Sequence, residues 1–129
     1  MAGYDPSKTR SAGRVRDDLL FDSEGIEHFV VTIDKTAEDA GSPNGVTYLR
    51  KGLLLGKVTA TGRYKQFDGA AVDGTQLEED MVILKQDIEV TPTGEHTVAA
   101  SYKAGNFYLR SIFATGTVTW ANHPKIRVY

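Results

Sequence analysis

The chain has no cysteine. Disulfides and thiolate metal sites are therefore excluded, and no redox compartment is indicated. Long apolar runs are missing too. Aliphatic stretches such as Leu53-Leu54-Leu55, set between Gly52 and Gly56, fall far short of the ~20 residues that a membrane-spanning helix takes. No apolar segment comes after the first basic residues, as a secretory leader would require. Net charge is scarce, only -2 over 129 residues. A general nucleic-acid binder wants a concentrated basic surface instead. The three histidines, His28, His96 and His123, are scattered. None has a partner at metal-ligand spacing, and each reads as a surface residue. Internal repeats and low-complexity tracts are absent.

What is present is ordinary for one globular domain: 40% hydrophobic and 25% charged residues. At this length folding buries roughly two-thirds of the chain's surface, enough for a core without staples. The charge is uneven. Residues 1–16 carry Lys8, Arg10, Arg14 and Arg16 against Asp5, net +3, whereas residues 17–51 are net -5. Val15 is the one sizeable aliphatic residue in that basic head. Such a segment buries too little to offset its ordering entropy, so residues 1–16 read as a flexible arm and residues 17–129 as a single β-rich domain.

Strand patterns fill the domain. In Glu27–Asp34, Phe29, Val31 and Ile33 share one face, with His28, Thr32 and Asp34 on the other. Residues 35–45 form a polar loop. Further strands are expected at Val46–Leu49, Leu53–Ala60, Arg63–Phe67 and Met81–Leu84. The last is apolar enough to be buried on both faces. Ile88 and Val90 continue in phase with Val82 and Leu84. Val98, Ala100 and Tyr102 alternate in another strand, and Val118 with Trp120 and Ile126 with Val128 mark two more. Asp68-Gly69 and Asp73-Gly74 are turn dipeptides. Residues 106–113 fit two patterns. Leu109, Ile112 and Phe113 share a helical face with Asn106 as cap, while Phe107, Leu109 and Phe113 also suit a strand. Read as one short helix or helical turn, that segment leaves the fold mainly β: a small antiparallel barrel or sandwich with one short helix.

No motif calls for catalysis, a metal or a cofactor. The stretch Gly56-Lys57-Val58 lacks the hydroxyl that a phosphate loop places after its lysine, and Gly52 stands four residues before Gly56, not five. The continuation through Gly62-Arg63-Tyr64 is rich in β-formers and reads as a hairpin with Gly62 at positive φ. Glu78-Glu79-Asp80 reads as a solvated loop. Ser101 and Ser111 lack a nucleophile-elbow pattern. Arg63, Tyr64, Lys65 and Phe67 interleave bases and aromatics as a single-strand-binding barrel does, but period 2 leaves only Phe67 on the face of the basic pair. Trp120 reads as core or subunit interface.

The order of these pieces resembles the head decoration proteins of tailed bacteriophages, the lambda type. "LRKGLLLGKVTATGRYKQFDGAAVDGTQ" followed by "MVILKQDIEV" and "SYKAGNF" carries the resemblance, over about residues 49–113. The matching positions are Gly56, Gly62, Asp68, Gly69, Asp73, Gly74, Gly105 and Phe107. Residues 19–45, the acids at 78–80 and the C-terminal "TVTWANHPKIRVY" depart from the family pattern. The resemblance implies a non-enzymatic homotrimer without cofactors, made in the bacterial cytoplasm. It would bind the major capsid protein at three-fold and quasi-three-fold points on the outside of the expanded capsid. The arm, with Lys8, Arg10, Arg14, Val15 and Arg16, would attach it, with no nucleic acid or membrane involved. Alternative readings are a head fibre, a tail-tube-like component, or an OB-like single-strand-binding barrel.

Overall fold

The computed structural model describes residues 19–114 and 117–129. The proposed arm residues Lys8, Arg10, Arg14, Val15 and Arg16 lie outside the described residues. The strands are Glu27–Ile33 (β1), Tyr48–Leu49 (β2), Leu54–Lys57 (β3), Tyr64–Gln66 (β4), Val82–Leu84 (β5), Ile88–Glu89 (β6), Thr97–Phe107 (β7) and Ile126–Val128 (β8). Hydrogen bonding runs in the order β1-β4-β3-β5-β7, and β7 returns to pair with β1. Five strands thus close a barrel, which leaves none of the five as an open edge around the ring. β8 extends the sheet beyond the ring, and β2 pairs with β6 as a separate ribbon. The ladders are antiparallel with two exceptions. β1 meets β4 in parallel at Ile33 and Tyr64, and β8 lies parallel to the end of β7.

Period-2 alternation divides the apolar residues between two cores. Val31, Ile33, Leu53, Leu55, Tyr64, Val82, Leu84 and Ala99 fill the barrel, joined by Leu49 and Val90 from the β2–β6 side. Leu54, Phe67, Met81, Ile83, Tyr102 and Phe107 face outward, where Leu19 and Ile126 cover them. This second layer explains why β5 is buried throughout. Val98, Ala100 and Tyr102 do share a face, but only Tyr102 is covered; Val98 stays 65% exposed. Phe29 is 37% exposed although in phase with Val31 and Ile33. A register shift between Glu27 and His28 leaves Lys103 unmatched opposite β1, a bulge that bends β7 away from the ring.

The stretch at Gly56 is a hairpin. β3 and β4 pair through Lys57 and Tyr64, and the Val58 amide donates to the Arg63 carbonyl at 2.8 Å. Gly62 has φ +74° with open space around it. The strand stops at Lys57 rather than Ala60, because the Thr59 amide donates to Asp73. There the second Asp-Gly turn crosses the hairpin. Asp73 Oδ1 accepts from the Thr75 amide and hydroxyl at 3.1 and 2.7 Å. A Cβ on Gly74, at φ +113°, would sit 2.6 Å from the Lys57 carbonyl oxygen, and one on Gly56 would sit 2.7 Å from Thr75 Cα. Backbone touches backbone, so alanine has no room at either position. Gly74→Ala is expected to cost about 2 kcal/mol through strain and displaced backbone. Urea unfolding measures it, and a cost below about 0.5 kcal/mol would mean that the crossing is loose.

The short helix or helical turn expected in residues 106–113 is a 3₁₀ turn, Leu109–Ser111, but it has no side-chain cap. Asn106 lies in β7 and donates to Asp22 Oδ1 at 2.9 Å instead. Trp120 begins another 3₁₀ turn, Trp120–Asn122, not a strand. The cause is Glu78, whose carboxylate accepts from the Thr119 amide at 2.7 Å and from Asn122 Nδ2 at 2.6 Å. That tether takes the backbone donor a ladder would have used. Trp120 itself packs against the outer core.

Candidate functional site

The described chain starts at Leu19, and its first residues are firmly seated. Leu19 is 1% exposed in the outer core. Its carbonyl accepts from the Tyr108 amide at 3.0 Å, and the Phe21 amide donates to Asn106 at 2.9 Å. Leu20 bridges Phe107 in antiparallel register. On the other side of the same β7 end, the Tyr129 amide donates to Phe107, and the Leu109 amide donates to Tyr129. Two distant segments of the chain are therefore held against one strand end, with their side chains meeting above it.

The meeting point is aromatic and open. Phe21 stacks on Tyr129 with centroids 4.3 Å apart and meets Tyr108 edge-on at 5.5 Å. The Arg110 guanidinium lies 4.1 Å over the Tyr108 ring. Phe21, Leu109 and Tyr129 are all exposed. A cleft of about 290 Å³ adjoins them, lined by Leu19, Lys51, Arg110, Ser111 and Phe113. Aromatic rings and arginine are the side chains that interfaces concentrate: the rings bring large contact area with few rotors to freeze, and the guanidinium brings a planar, stackable set of donors. Chemically the surface offers stacking faces and cationic donors; it has no paired acid and base.

The positions singled out in the sequence serve the scaffold. Gly56, Asp73 and Gly74 meet where the second Asp-Gly turn crosses the hairpin. Gly62 forms the hairpin tip. Asp68 Oδ1 accepts from the Ala70 amide at 2.9 Å, making a turn with Gly69 at its apex. Gly105, at φ +140°, lies against the ring of the fully buried Phe107. Tyr64 and Phe67 are buried in opposite cores, so neither offers a ring to a nucleic-acid base. Ser101 is buried and donates to the Phe29 carbonyl at 2.7 Å. Among the described residues no group of three His, Cys, Asp or Glu side chains is placed to hold a metal ion. The aromatic surface escaped the sequence reading. Phe21, Tyr108 and Tyr129 are far apart in the chain and share no period; an aromatic between the acids and turns of residues 17–25 was the one available sign.

Two polar centres stiffen the scaffold. Asp39, inside the stretch read as a polar loop, is fully buried. It accepts from Arg50 Nε at 2.7 Å and Nη2 at 2.9 Å, and from the Gly41 and Arg50 amides. Burial opposes its ionisation, but the hydrogen bonds and charge of Arg50 outweigh burial and hold its pKa below the usual value. Arg50 in turn lies 3.6 Å over the Phe113 ring, beside the cleft.

His123 corrects the expectation of a surface residue: it is 4% exposed. Its Nε2 donates to the Met81 carbonyl at 2.8 Å, while Nδ1 accepts from the Lys125 and Ile126 amides at 3.1 and 3.0 Å. One neutral ring thus pins β8 to the start of β5. Burial, helped by the Arg127 charge, pushes the His123 pKa below 6.5, against the pull of its bond to Met81 and of Asp80. The unfolded chain takes up this proton first as pH falls. Stability contributed by neutral His123 is present above about pH 6.5 and declines below it, by up to about 1.4 kcal/mol per pH unit until the folded ring titrates. Urea unfolding at pH 7.5 and 5.5 is expected to show this loss, and His123→Gln is expected to shrink it. An equal loss in both proteins would assign the effect to other groups. Comparison with known proteins finds no matching family model and no matching curated protein.

Proposed function

We propose that the chain is a structural virion protein, a head decoration protein of a tailed phage. As a homotrimer it binds the outside of the expanded capsid at three-fold and quasi-three-fold sites and braces the shell against DNA pressure. The reading rests on the resemblance of residues 49–113 to the lambda type. In this reading the basic arm, residues 1–16, engages the major capsid protein. Strand addition is a fitting mode, because main-chain hydrogen bonds demand little of the side chains.

The structural observation that supports a binding role is the exposed Phe21–Tyr108–Tyr129 surface with the cleft lined by Lys51 and Arg110, at the first described residues of the chain. A closed, tightly crossed barrel supplies a stiff body, and the aromatic surface supplies a footprint in addition to the arm. Each contact alone is weak. Three arms and three footprints on one symmetric trimer act together, and avidity then exceeds the single affinity. Mixing the protein with expanded capsids of its phage and imaging them tests this. Density at the three-fold positions is expected, and bare shells at saturating protein would reject the proposal.

A further inference from the structure

The loop Asp39–Tyr48 contains the dipeptide Asn44-Gly45, which takes no part in the barrel ladders or the aromatic surface. Asn44 is exposed, and Gly45 has φ +104° with nothing within 4 Å of where a Cβ would lie. The Gly45 amide is held only by a long 3.4 Å contact to the Ser42 carbonyl. The Asn44 side chain makes no hydrogen bond to any described residue. The other two asparagines are tied down. Asn106 Nδ2 donates to Asp22 and is followed by Phe107; Asn122 Nδ2 donates to Glu78 and is followed by His123. Three conditions for intramolecular attack on a side-chain amide coincide at Asn44 alone: an unhindered following residue, a weakly held nucleophilic nitrogen and an untethered carboxamide.

We propose that Asn44 is a site of spontaneous covalent modification, converted to aspartate and isoaspartate through a succinimide closed by the Gly45 amide. The Gly45 nitrogen, losing its proton to solvent base, bonds to Asn44 Cγ, and the Cγ–Nδ2 bond breaks with release of ammonia. Water then adds at either ring carbonyl and reopens the ring. One route gives aspartate; the other carries the main chain through the side-chain carbon as isoaspartate. Overall one water is consumed and one ammonia is released, and no oxidant or reductant is needed.

The product matters because of its setting. Each outcome adds a negative charge to a stretch that is already acidic. Isoaspartate also lengthens the backbone by one carbon inside a loop closed by Asp39 N–Val46 O at 2.8 Å and Tyr48 N–Gly45 O at 3.0 Å. Those bonds frame the Asp39–Arg50 pair, so chemical ageing of Asn44 reaches the buried ion pair through the chain.

The test is ageing of the full chain in warm neutral and mildly alkaline buffer, followed by peptide mapping that separates aspartate from isoaspartate. Conversion at Asn44 is expected about tenfold or more faster than at Asn106 and Asn122, and faster at the alkaline pH. Asn44→Gln is expected to fold alike and to leave that peptide unchanged. A parallel sample held in urea supplies the unconstrained rate. Rapid conversion in urea with none in the folded chain would show that the loop protects Asn44 and would overturn the proposal, as would equal rates at all three asparagines.

Discussion

Arg50→Ala is expected to cost about 3–5 kcal/mol, because it strands a carboxylate in the interior. Asp39 is fully buried, and four hydrogen bonds hold it, three of them from Arg50 through its side chain and amide. Truncating Arg50 leaves that carboxylate with two backbone amides and no counter-charge. The reverse change, Asp39→Ala, is expected to cost less. The Arg50 side chain keeps 21% exposure and its place over Phe113, so its charge reaches water once the partner is gone. Arg50→Lys is expected to recover only part of the loss, since a point charge does not reproduce the two-pronged contact. Unfolding in urea gives the three values. Equal costs for Arg50→Ala and Asp39→Ala would contradict the asymmetry, and a cost below about 1 kcal/mol for Arg50→Ala would place the pair with ordinary surface bridges. The depressed Asp39 pKa adds a pH signature. Its stabilisation is present above the unfolded value of about 3.8 and is lost as pH falls through the lower folded value. This loss belongs to strong acid, well separated from the His123 effect that starts near pH 6.5.

Deleting residues 1–16 is expected to weaken attachment to expanded capsids by about 100-fold or more while sparing the barrel. The structural basis for sparing it is the seating of Leu19, Leu20 and Phe21, all downstream of the cut and bonded to residues 106–108. The loss follows from valency. In the proposed trimer one arm is deleted from each of three subunits, so a modest loss per arm would multiply in the whole. In that proposal the basic residues would also speed encounter with an acidic groove on the shell, an effect that salt would screen. Co-sedimentation with capsids, at low and high salt, reads the attachment, and urea unfolding reads the barrel. A truncated protein that decorates shells as well as the full chain would remove the arm from the mechanism. A truncated protein with a lowered unfolding midpoint would instead mean that those residues belong to the domain.

Local patterns carried much of the architecture. Val31 and Ile33 were readable as buried from their spacing, Gly62 as a hairpin apex from its neighbours, and Asp68 and Asp73 as turn formers from the glycine after each. These readings needed only a few adjacent residues, because pleat and turn geometry are properties of short segments. The errors were of another kind. Trp120 looked like strand until the distant Glu78 carboxylate claimed the backbone beside it. His123 looked like surface until two segments closed over it. The Phe21–Tyr108–Tyr129 surface had no trace in spacing at all.

By itself the sequence determined most of the stretches that extend, the turns at Gly62, Asp68 and Asp73, and that apolar residues suffice for a packed β-domain. Only the tertiary structure decided that the strands close into a ring, that a second core lies outside it, and which polar groups are trapped between layers. The reason is physical. Backbone preference acts over a few bonds, whereas the partner of a buried carboxylate or imidazole is chosen by whatever the closing chain brings within hydrogen-bond reach once water has been excluded.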